Sequence, residues 1–276
     1  MKSNLIKINF YFPKTSRRIK SKQELINLIM EAMRKDGNIK YAGYLKEKDL
    51  QKDLLQHIGR GDINEYREIS ASEKKAIEKT IHLTIQKCHE KLPIPIKNFI
   101  FIFPWLPTKK DRVFRGSLGY AHYSCVLHLF IAPDVFTQKS LADSVAHEIN
   151  HTISFYYHFD RYGKWSLLDH IINEGLAENF REEVLNTKPV PWAVALTKKE
   201  AFKVLSLIKP LLHSKNPNIH QKVLFGGKKY KRWTGYSIGY WLVKEFKKRH
   251  PKLSWEEIVK TKPEDILKLA IKNRAQ

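Results

Sequence analysis

The stretch His147-Glu148-Ile149-Asn150-His151 decides the fold, because its spacing places two histidines on one face of a helix. An α-helix turns about 100° per residue, so residues four apart lie on the same face, about 6 Å apart along the axis. Two imidazoles in this arrangement can bind one Zn²⁺ ion. The glutamate that follows the first histidine would lie close enough to act on water at the metal. The stretch therefore predicts a zinc-binding helix.

The same five residues have an ordinary structural interpretation. The chain contains 12 histidines, and a pattern with only three fixed positions is expected by chance in roughly a few percent of proteins. Taken alone, the stretch leaves open two helical histidines that bind no metal. The rest of the chain has to decide between the two interpretations.

The composition is that of a folded protein with one sizeable core. Of the 276 residues 42% are hydrophobic and 12% aromatic, which excludes a disordered chain. Cys88 and Cys125 are too few for a disulfide scaffold or a cysteine-based zinc site. The first 20 residues lack the apolar segment of a signal peptide, and no run of about 18 apolar residues exists. We therefore expect a cytoplasmic protein without a membrane span.

The net charge of +22 favours anionic partners, although lysine-rich solvated surface explains it equally well. Residues 201–244 contain nine Lys or Arg and no Asp or Glu, and include the cluster Lys228-Lys229-Tyr230-Lys231-Arg232-Trp233. Basic residues between aromatic ones can grip phosphates and stack on bases, or they can line the rim of a cleft. Nucleic acid and an acidic peptide or protein substrate both remain open as partners.

Helix signals are frequent along the chain. Ser-x-x-Glu or Ser-x-x-Asp capping boxes predict that helices begin after Ser70, Ser140 and Ser166. The second of these helices carries the two histidines, and the third extends over Leu167–Leu185. Apolar periodicity predicts further helices at about residues 21–35, 45–58, 198–212, 234–250 and 263–272.

Strand signals are fewer and lie between the helices. Residues 98–103 and 120–131 are apolar, β-rich runs, each predicted as one strand. His122 and His128 in the second run are expected to be surface or core histidines. Because strands and helices do not alternate, we predict an α+β fold, mostly helical, with a small mixed or antiparallel sheet whose edge strand borders the active-site cleft. Residues 1–69 would form an N-terminal helical extension, and residues 70–276 the main domain.

A catalytic zinc site needs a third protein ligand. The metzincin pattern is excluded, since Ser154 stands where that class has glycine and Tyr157 where it has histidine. His170 and Glu174 share a face of the helix that follows Ser166, so the residues alone leave both open. A solvated row of carboxylates at Glu174, Glu178 and Glu182 is the structural alternative, and Asp169 is best explained as a capping residue.

The segment Asn173-Glu174-Gly175-Leu176-Ala177-Glu178 resembles the gluzincins, the thermolysin-like clan, whose second helix carries the pattern N-E-x-x-[AS]-[DE]. The resemblance implies a zincin-like fold in which Glu174 is the third ligand of one Zn²⁺ ion. It also implies that Glu178 accepts the spare N–H of a ligand histidine, which fixes the tautomer of that ligand.

A second resemblance extends over roughly residues 70–272. Four motifs in this order are similar to a family of predicted Zn-dependent proteases known mainly as a domain of unknown function. The motifs are HEINH (147–151), LLDHIINEGLAENF (167–180), PWAVAL (191–196) and RWTGYSIGYWLV (232–243). The resemblance implies a zincin-like metallopeptidase domain over residues 70–276, and residues 1–69 fall outside it.

These residues predict a reaction. Zinc would acidify water, and Glu148, which is not a ligand, would take its proton and pass it to the leaving amine. The resemblance to the gluzincins, several of which use a tyrosine hydroxyl as oxyanion donor, implies this role for Tyr236. Arg232, Tyr240 and Arg181 are further candidates for contacting the oxyanion or a substrate carboxylate. Gly235 and Gly239 also allow a simpler explanation, in which the tyrosines pack at a close helix crossing.

Three functional hypotheses follow. The first is hydrolysis of peptide bonds by a zinc metallopeptidase. The second is a nucleic-acid-associated zincin-like protein, and the third is a non-catalytic zincin-like fold with a structural metal or none. Glu148 favours the peptidase over the non-catalytic fold, because a site without catalytic activity does not need a general base.

Overall fold

The computed structural model describes residues 5–14, 18–161 and 163–271. The chain divides into two compact units and passes from one to the other after His89, after Pro93 and after Thr152. The domain boundary at residue 70 that the sequence suggested stays a prediction. The first unit comprises Met1–His89 and Ile94–Thr152, and the second comprises Glu90–Pro93 and Ile153–Gln276.

The first unit contains a four-stranded mixed sheet in the order β1-β2-β4-β3. β1 pairs in parallel with β2 and β2 with β4, whereas β3 runs antiparallel to β4 at the edge. The predicted mixed sheet in an α+β fold is therefore confirmed. The strands are β1 (Ile6–Phe10), β2 (Asn98–Pro104), β3 (Ser117–Tyr123) and β4 (Val126–Ile131).

The run 120–131 is a hairpin and not the single strand that the sequence predicted. Ser124 and Cys125 form a turn that separates β3 from β4. The apolar residues continue through the turn on both sides, so the pattern contained no signal for the reversal. The second half is buried along its whole length, because β4 lies between two other strands.

The N-terminal segment supplies two helices, as predicted, but it also supplies β1 and is therefore not purely helical. The helices are α1 (Lys22–Lys35) and α2 (Glu47–His57). Their apolar residues share one core with the sheet, because amphipathic helices bury their apolar faces against it. This common core includes Leu25, Ile29, Leu50 and Leu54 from the helices and Phe101, Phe103 and Phe130 from the strands.

The β3–β4 hairpin packs against the loop between α1 and α2. His128 is fully buried, and its Nε2 lies 3.0 Å from the carbonyl oxygen of Ala42. Burial lowers the pKa of His128 to about 3, so this residue is a neutral core histidine. His122 is half-buried and its ring stacks on Tyr44, with 4.1 Å between the ring centroids. Both histidines therefore lie where the sequence expected them, in the core or at its edge.

Two long helices, α3 (Ala71–Lys91) and α4 (Gln138–Tyr157), lie mainly in the first unit, and the last residues of both belong to the second unit. The capping box of α3 is confirmed, since Ser70 N donates to Glu73 Oε2 at 2.8 Å and Glu73 N donates to Ser70 Oγ at 3.2 Å. The predicted box at Ser140 is wrong. Thr137 and Ser140 cap each other with two hydrogen bonds of 3.0 Å, so α4 begins earlier.

The second unit is helical throughout its described elements. All the helices predicted there are present, whereas α7 and α9 were not predicted because both are short and lack a long apolar period. None of the described helices combines the length and the apolar character needed to cross a membrane. The helices are α5 (Leu167–Leu185), α6 (Lys198–Ile208), α7 (Pro217–Phe225), α8 (Thr234–Arg249), α9 (Trp255–Lys260) and α10 (Pro263–Ile271).

α5 and α8 cross at two glycines. A Cβ atom on Gly175 would lie 2.2 Å from the carbonyl oxygen of Gly239, and a Cβ atom on Gly239 would lie 1.9 Å from the carbonyl oxygen of Ile171. No side chain fits at these distances, so the two backbones come together only because both residues are glycine. The close approach predicted from Gly239 is confirmed, and its partner is α5.

Candidate metal centre

The first half of the candidate centre is the central part of α4. His147 is half-buried and His151 is 7% exposed. Their Nε2 atoms lie 3.0 Å apart, and the ring planes meet at 85°. The flanking residues Asn150 and Thr152 are fully buried. The histidine stretch thus forms the helix that the sequence predicted, with both imidazoles on one face.

Glu148 lies against the edge strand of the sheet. Its carboxylate is buried, and the backbone N–H of Ala121 in β3 donates to its Oε2 at 2.7 Å. A hydrogen bond from an N–H to a charged carboxylate is stronger than a bond between neutral groups. The edge strand therefore fixes one oxygen of the residue that the sequence identified as the general base.

Gly119 is a site residue that sequence reasoning missed. A Cβ atom at this position would lie 2.4 Å from Cγ of Glu148 and 3.0 Å from its Oε1. The absence of a side chain at Gly119 makes room for Glu148. A signal was present, because glycine inside a β-rich run often marks the close approach of another group. The strand prediction began one residue too late to include it.

The second half of the candidate centre is α5, which carries Glu174. The helix begins at the predicted capping box, in which Ser166 N donates to Asp169 Oδ2 at 2.8 Å and Asp169 N donates to Ser166 Oγ at 3.3 Å. Asp169 also pairs with Arg161 at 2.6 Å. Its role as a capping residue is confirmed. Glu174 lies farther along the helix and is half-buried.

Within the described residues, His147, His151 and Glu174 form a group whose ligand atoms all lie within 4.8 Å of one another. Such a group could hold a metal ion. His170, the competing third ligand, is not in this group, and its ring instead contacts Trp165 and His220, with centroids 5.3 and 4.9 Å away.

The donor set fits zinc. Two imidazoles and one carboxylate are a ligand set of catalytic zinc sites. With zinc–nitrogen bonds of about 2.0–2.1 Å and tetrahedral angles, two ligand nitrogens lie about 3.3 Å apart. The 3.0 Å between the Nε2 atoms of His147 and His151 is close to that separation.

Glu178 lies one turn beyond Glu174 and is fully buried. Trp192 Nε1 donates to its Oε1 at 2.5 Å, and Arg181 Nε donates to its Oε2 at 3.1 Å. Arg181 is 1% exposed and also donates to Thr187 Oγ1 at 2.9 Å, so it is a buried partner of Glu178. The contact of Glu178 with a ligand histidine stays a prediction. Sequence reasoning did not identify Trp192 individually, although the PWAVAL motif contains it.

The predicted oxyanion residues have different surroundings. Tyr240 is buried, and its hydroxyl donates to Glu182 Oε2 at 2.7 Å and accepts from Lys244 Nζ at 2.5 Å. Burial, followed by the hydrogen bond to Glu182, raises the pKa of the Tyr240 phenol well above its usual value. These contacts favour the packing role for Tyr240.

Tyr236 and Arg232 are more accessible than Tyr240. Tyr236 is half-buried, and its ring lies 5.9 Å from that of Phe225. Arg232 is exposed, with its guanidinium carbon 4.3 Å from the centroid of the Trp233 ring. Their roles at the oxyanion or a substrate carboxylate stay predictions.

Comparison with known proteins agrees with the site. Residues 77–268 match the family described as "Predicted Zn-dependent protease (DUF2268)", and the chain belongs to this family. The chain is also similar to the uncharacterized protein YjfC of Bacillus subtilis (strain 168), with 24% identity over 224 residues that cover 76% of this chain and 72% of the relative. No solved structure matches the chain. The resemblance stated from the four motifs is therefore confirmed.

Proposed function

We propose that this protein is a zinc-dependent peptidase that holds one zinc ion through His147, His151 and Glu174. The observation that carries the proposal is the convergence of these three side chains within 4.8 Å, on the same helix as a buried glutamate that is no part of the group. The family description of a predicted Zn-dependent protease supports it. A purely structural metal site has no need for Glu148.

The chemistry divides between the metal and the protein. Bound zinc supplies Lewis acidity, which acidifies water and polarises a substrate carbonyl. Glu148 takes the proton of the attacking water and then delivers it to the leaving amine. Ala121 N–H holds one oxygen of Glu148, which orients the other oxygen for this transfer. Holding a general base in one geometry lowers the entropic part of the barrier.

The remaining roles belong to residues near the ends of elements. Tyr236, in the first turn of α8, is the proposed hydrogen-bond donor to the oxyanion, and Arg232 the alternative. The outer edge of β3 is the proposed border of the cleft, where an extended peptide can pair through its main chain. The substrate class is therefore a peptide or an unfolded segment of a protein.

Metal analysis combined with cleavage of a peptide library tests the proposal. We expect stoichiometric zinc in the wild type and in Glu148→Gln, because Glu148 is not a ligand. We expect cleavage by the wild type only, with a loss of roughly 10²- to 10⁴-fold in Glu148→Gln. Glu174→Ala should lose zinc, whereas the matched variant His170→Ala should keep it.

Three results would contradict parts of this assignment. Wild-type protein without zinc would disprove the metal site. Zinc retained without any cleavage would favour a non-catalytic fold with a structural metal. Loss of zinc in His170→Ala, together with zinc retained in Glu174→Ala, would show that His170 is the third ligand.

A further inference from the structure

The segment 226–233 of the second unit, called the basic loop here, presents four exposed cations. They are Lys228, Lys229, Lys231 and Arg232. Lys231 pairs with Glu200 at 3.3 Å. Over the part of the chain that the structure describes, no ion pair involves the other three. Among residues 5–14, 18–161 and 163–271, no acidic side chain neutralises the charge of these three cations.

The basic loop has a defined conformation. Gly227 N–H donates to the carbonyl oxygen of Tyr230 at 3.0 Å. Gly226 has a φ of +90°, and a Cβ atom there would lie 2.6 Å from Cα of Arg232, so the two ends of the loop touch. Trp233 has a φ of 65°, a conformation that bulky residues rarely adopt. A loop fixed in this way loses little entropy on binding, which favours affinity.

Two of the four cations of the loop lie over aromatic rings. The guanidinium carbon of Arg232 lies 4.3 Å from the centroid of Trp233, and Lys229 Nζ lies 5.5 Å from that of Tyr230. Trp233 also contacts Trp192, at 6.2 Å between ring centroids. Trp192 is itself anchored by its hydrogen bond to the buried carboxylate of Glu178. Through Trp233 and Trp192, these contacts connect Arg232 to the buried side chain of Glu178 in α5.

This arrangement decides between the two anionic partners that the sequence left open. Binding of single-stranded nucleic acid relies on aromatic faces on which bases can stack. In the basic loop, Arg232 covers Trp233 and Lys229 lies over Tyr230. What the loop offers instead is positive charge and N–H donors, and a guanidinium matches the two oxygens of a carboxylate.

We propose that the basic loop binds an acidic stretch of polypeptide. The partner is a chain rich in Asp and Glu side chains, and its identification as the substrate rests on the proposed function. Residues 201–244 contain no acidic residue, so nothing in this part of the sequence repels such a partner. The net charge of +22 accelerates its approach from a distance.

Binding of a poly-glutamate peptide to the Glu148→Gln protein tests this proposal, because the variant permits binding to be measured without cleavage. We expect the double variant Lys228→Ala/Lys229→Ala to weaken binding roughly tenfold. The matched double variant Lys203→Ala/Lys209→Ala removes the same charge from exposed positions of α6 and its end, and should weaken binding less than about twofold. Arg232→Lys keeps the charge but loses the planar guanidinium, which can donate two parallel hydrogen bonds to one carboxylate. This variant should weaken binding severalfold.

Other outcomes overturn the proposal. Equal weakening by both double variants would mean that bulk charge alone attracts the peptide. Tighter binding of single-stranded DNA of the same length and charge would assign the basic loop to nucleic acid. Absence of poly-glutamate binding at low salt would also contradict the proposal that the basic loop binds an acidic polypeptide. Zinc content and cleavage of a neutral peptide report on the proposed function separately, so the two failures can be told apart.

Discussion

Gly119 and Gly239 both make room for a neighbour, but the neighbours differ in kind. Gly119 faces a side chain, that of Glu148, whereas Gly239 faces the backbone carbonyl of Ile171. A side chain can rotate away from an added methyl group, but a helix backbone cannot move without disturbing its hydrogen bonds. Glycine therefore makes room for the Glu148 side chain in the first unit, whereas in the second unit it lets two helix backbones approach closely.

The carboxylates of Glu148 in α4 and Glu178 in α5 differ in the groups that bind them. Glu148 is held by the backbone N–H of an edge strand, at 2.7 Å. Glu178 is held by two side chains, Trp192 and Arg181, and is fully buried. In the second arrangement, the loss of one donor weakens the hydrogen bonding of a fully buried carboxylate and affects stability.

The largest expected effect is that of Gly239→Ala. Its Cβ would overlap the carbonyl oxygen of Ile171, so we expect unfolding to become easier by about 3 kcal/mol or more. Denaturant unfolding measures this change. Gly227→Ala is the matched control, since a Cβ at Gly227 meets nothing within 4 Å, and it should change stability by less than about 0.5 kcal/mol. Equal midpoints for the two variants would show that the crossing of α5 and α8 is looser than described.

Gly119→Ala should act on the reaction and not on the fold. The new methyl group would push Glu148 aside and break its hydrogen bond to Ala121, and a shift of about 1 Å can cost roughly 100-fold in rate. We expect this loss in kcat with zinc content unchanged and with only a small change in unfolding midpoint. A variant that unfolds as readily as Gly239→Ala, or one that retains full kcat, would remove the distinction between the two glycines.

The smallest effect is expected for Trp192→Phe. This change keeps an aromatic ring but removes the N–H that binds the buried carboxylate of Glu178, at an expected cost of about 1–2 kcal/mol in unfolding free energy. In the matched variant Trp241→Phe, the lost partner is the neutral carbonyl of Leu196, and the cost should be lower. Equal costs measured by denaturant unfolding would show that the bond to Glu178 contributes no more to stability than the bond to a neutral carbonyl.

Local signals in the sequence predicted local structure well. The capping boxes at Ser70 and Ser166 were confirmed because such a box involves residues only three positions apart. The box at Ser140 failed for a related reason, since Thr137 offers a competing cap one turn earlier. The reversal at Ser124 and the short helices α7 and α9 lack a long apolar period and were missed, although a capping box formed by Ser254 and Glu257 marks the start of α9.

The sequence by itself determined that two imidazoles share one face of a helix, because the spacing of His147 and His151 is a property of helix geometry. It also determined that the candidate metal ligands are imidazole nitrogens and a carboxylate oxygen. Only the tertiary structure decided that Glu174, and not His170, joins these imidazoles within 4.8 Å. Likewise, only folding brings Ala121 and Gly119 against Glu148. Such contacts join residues far apart in the chain, so packing sets them and local spacing cannot.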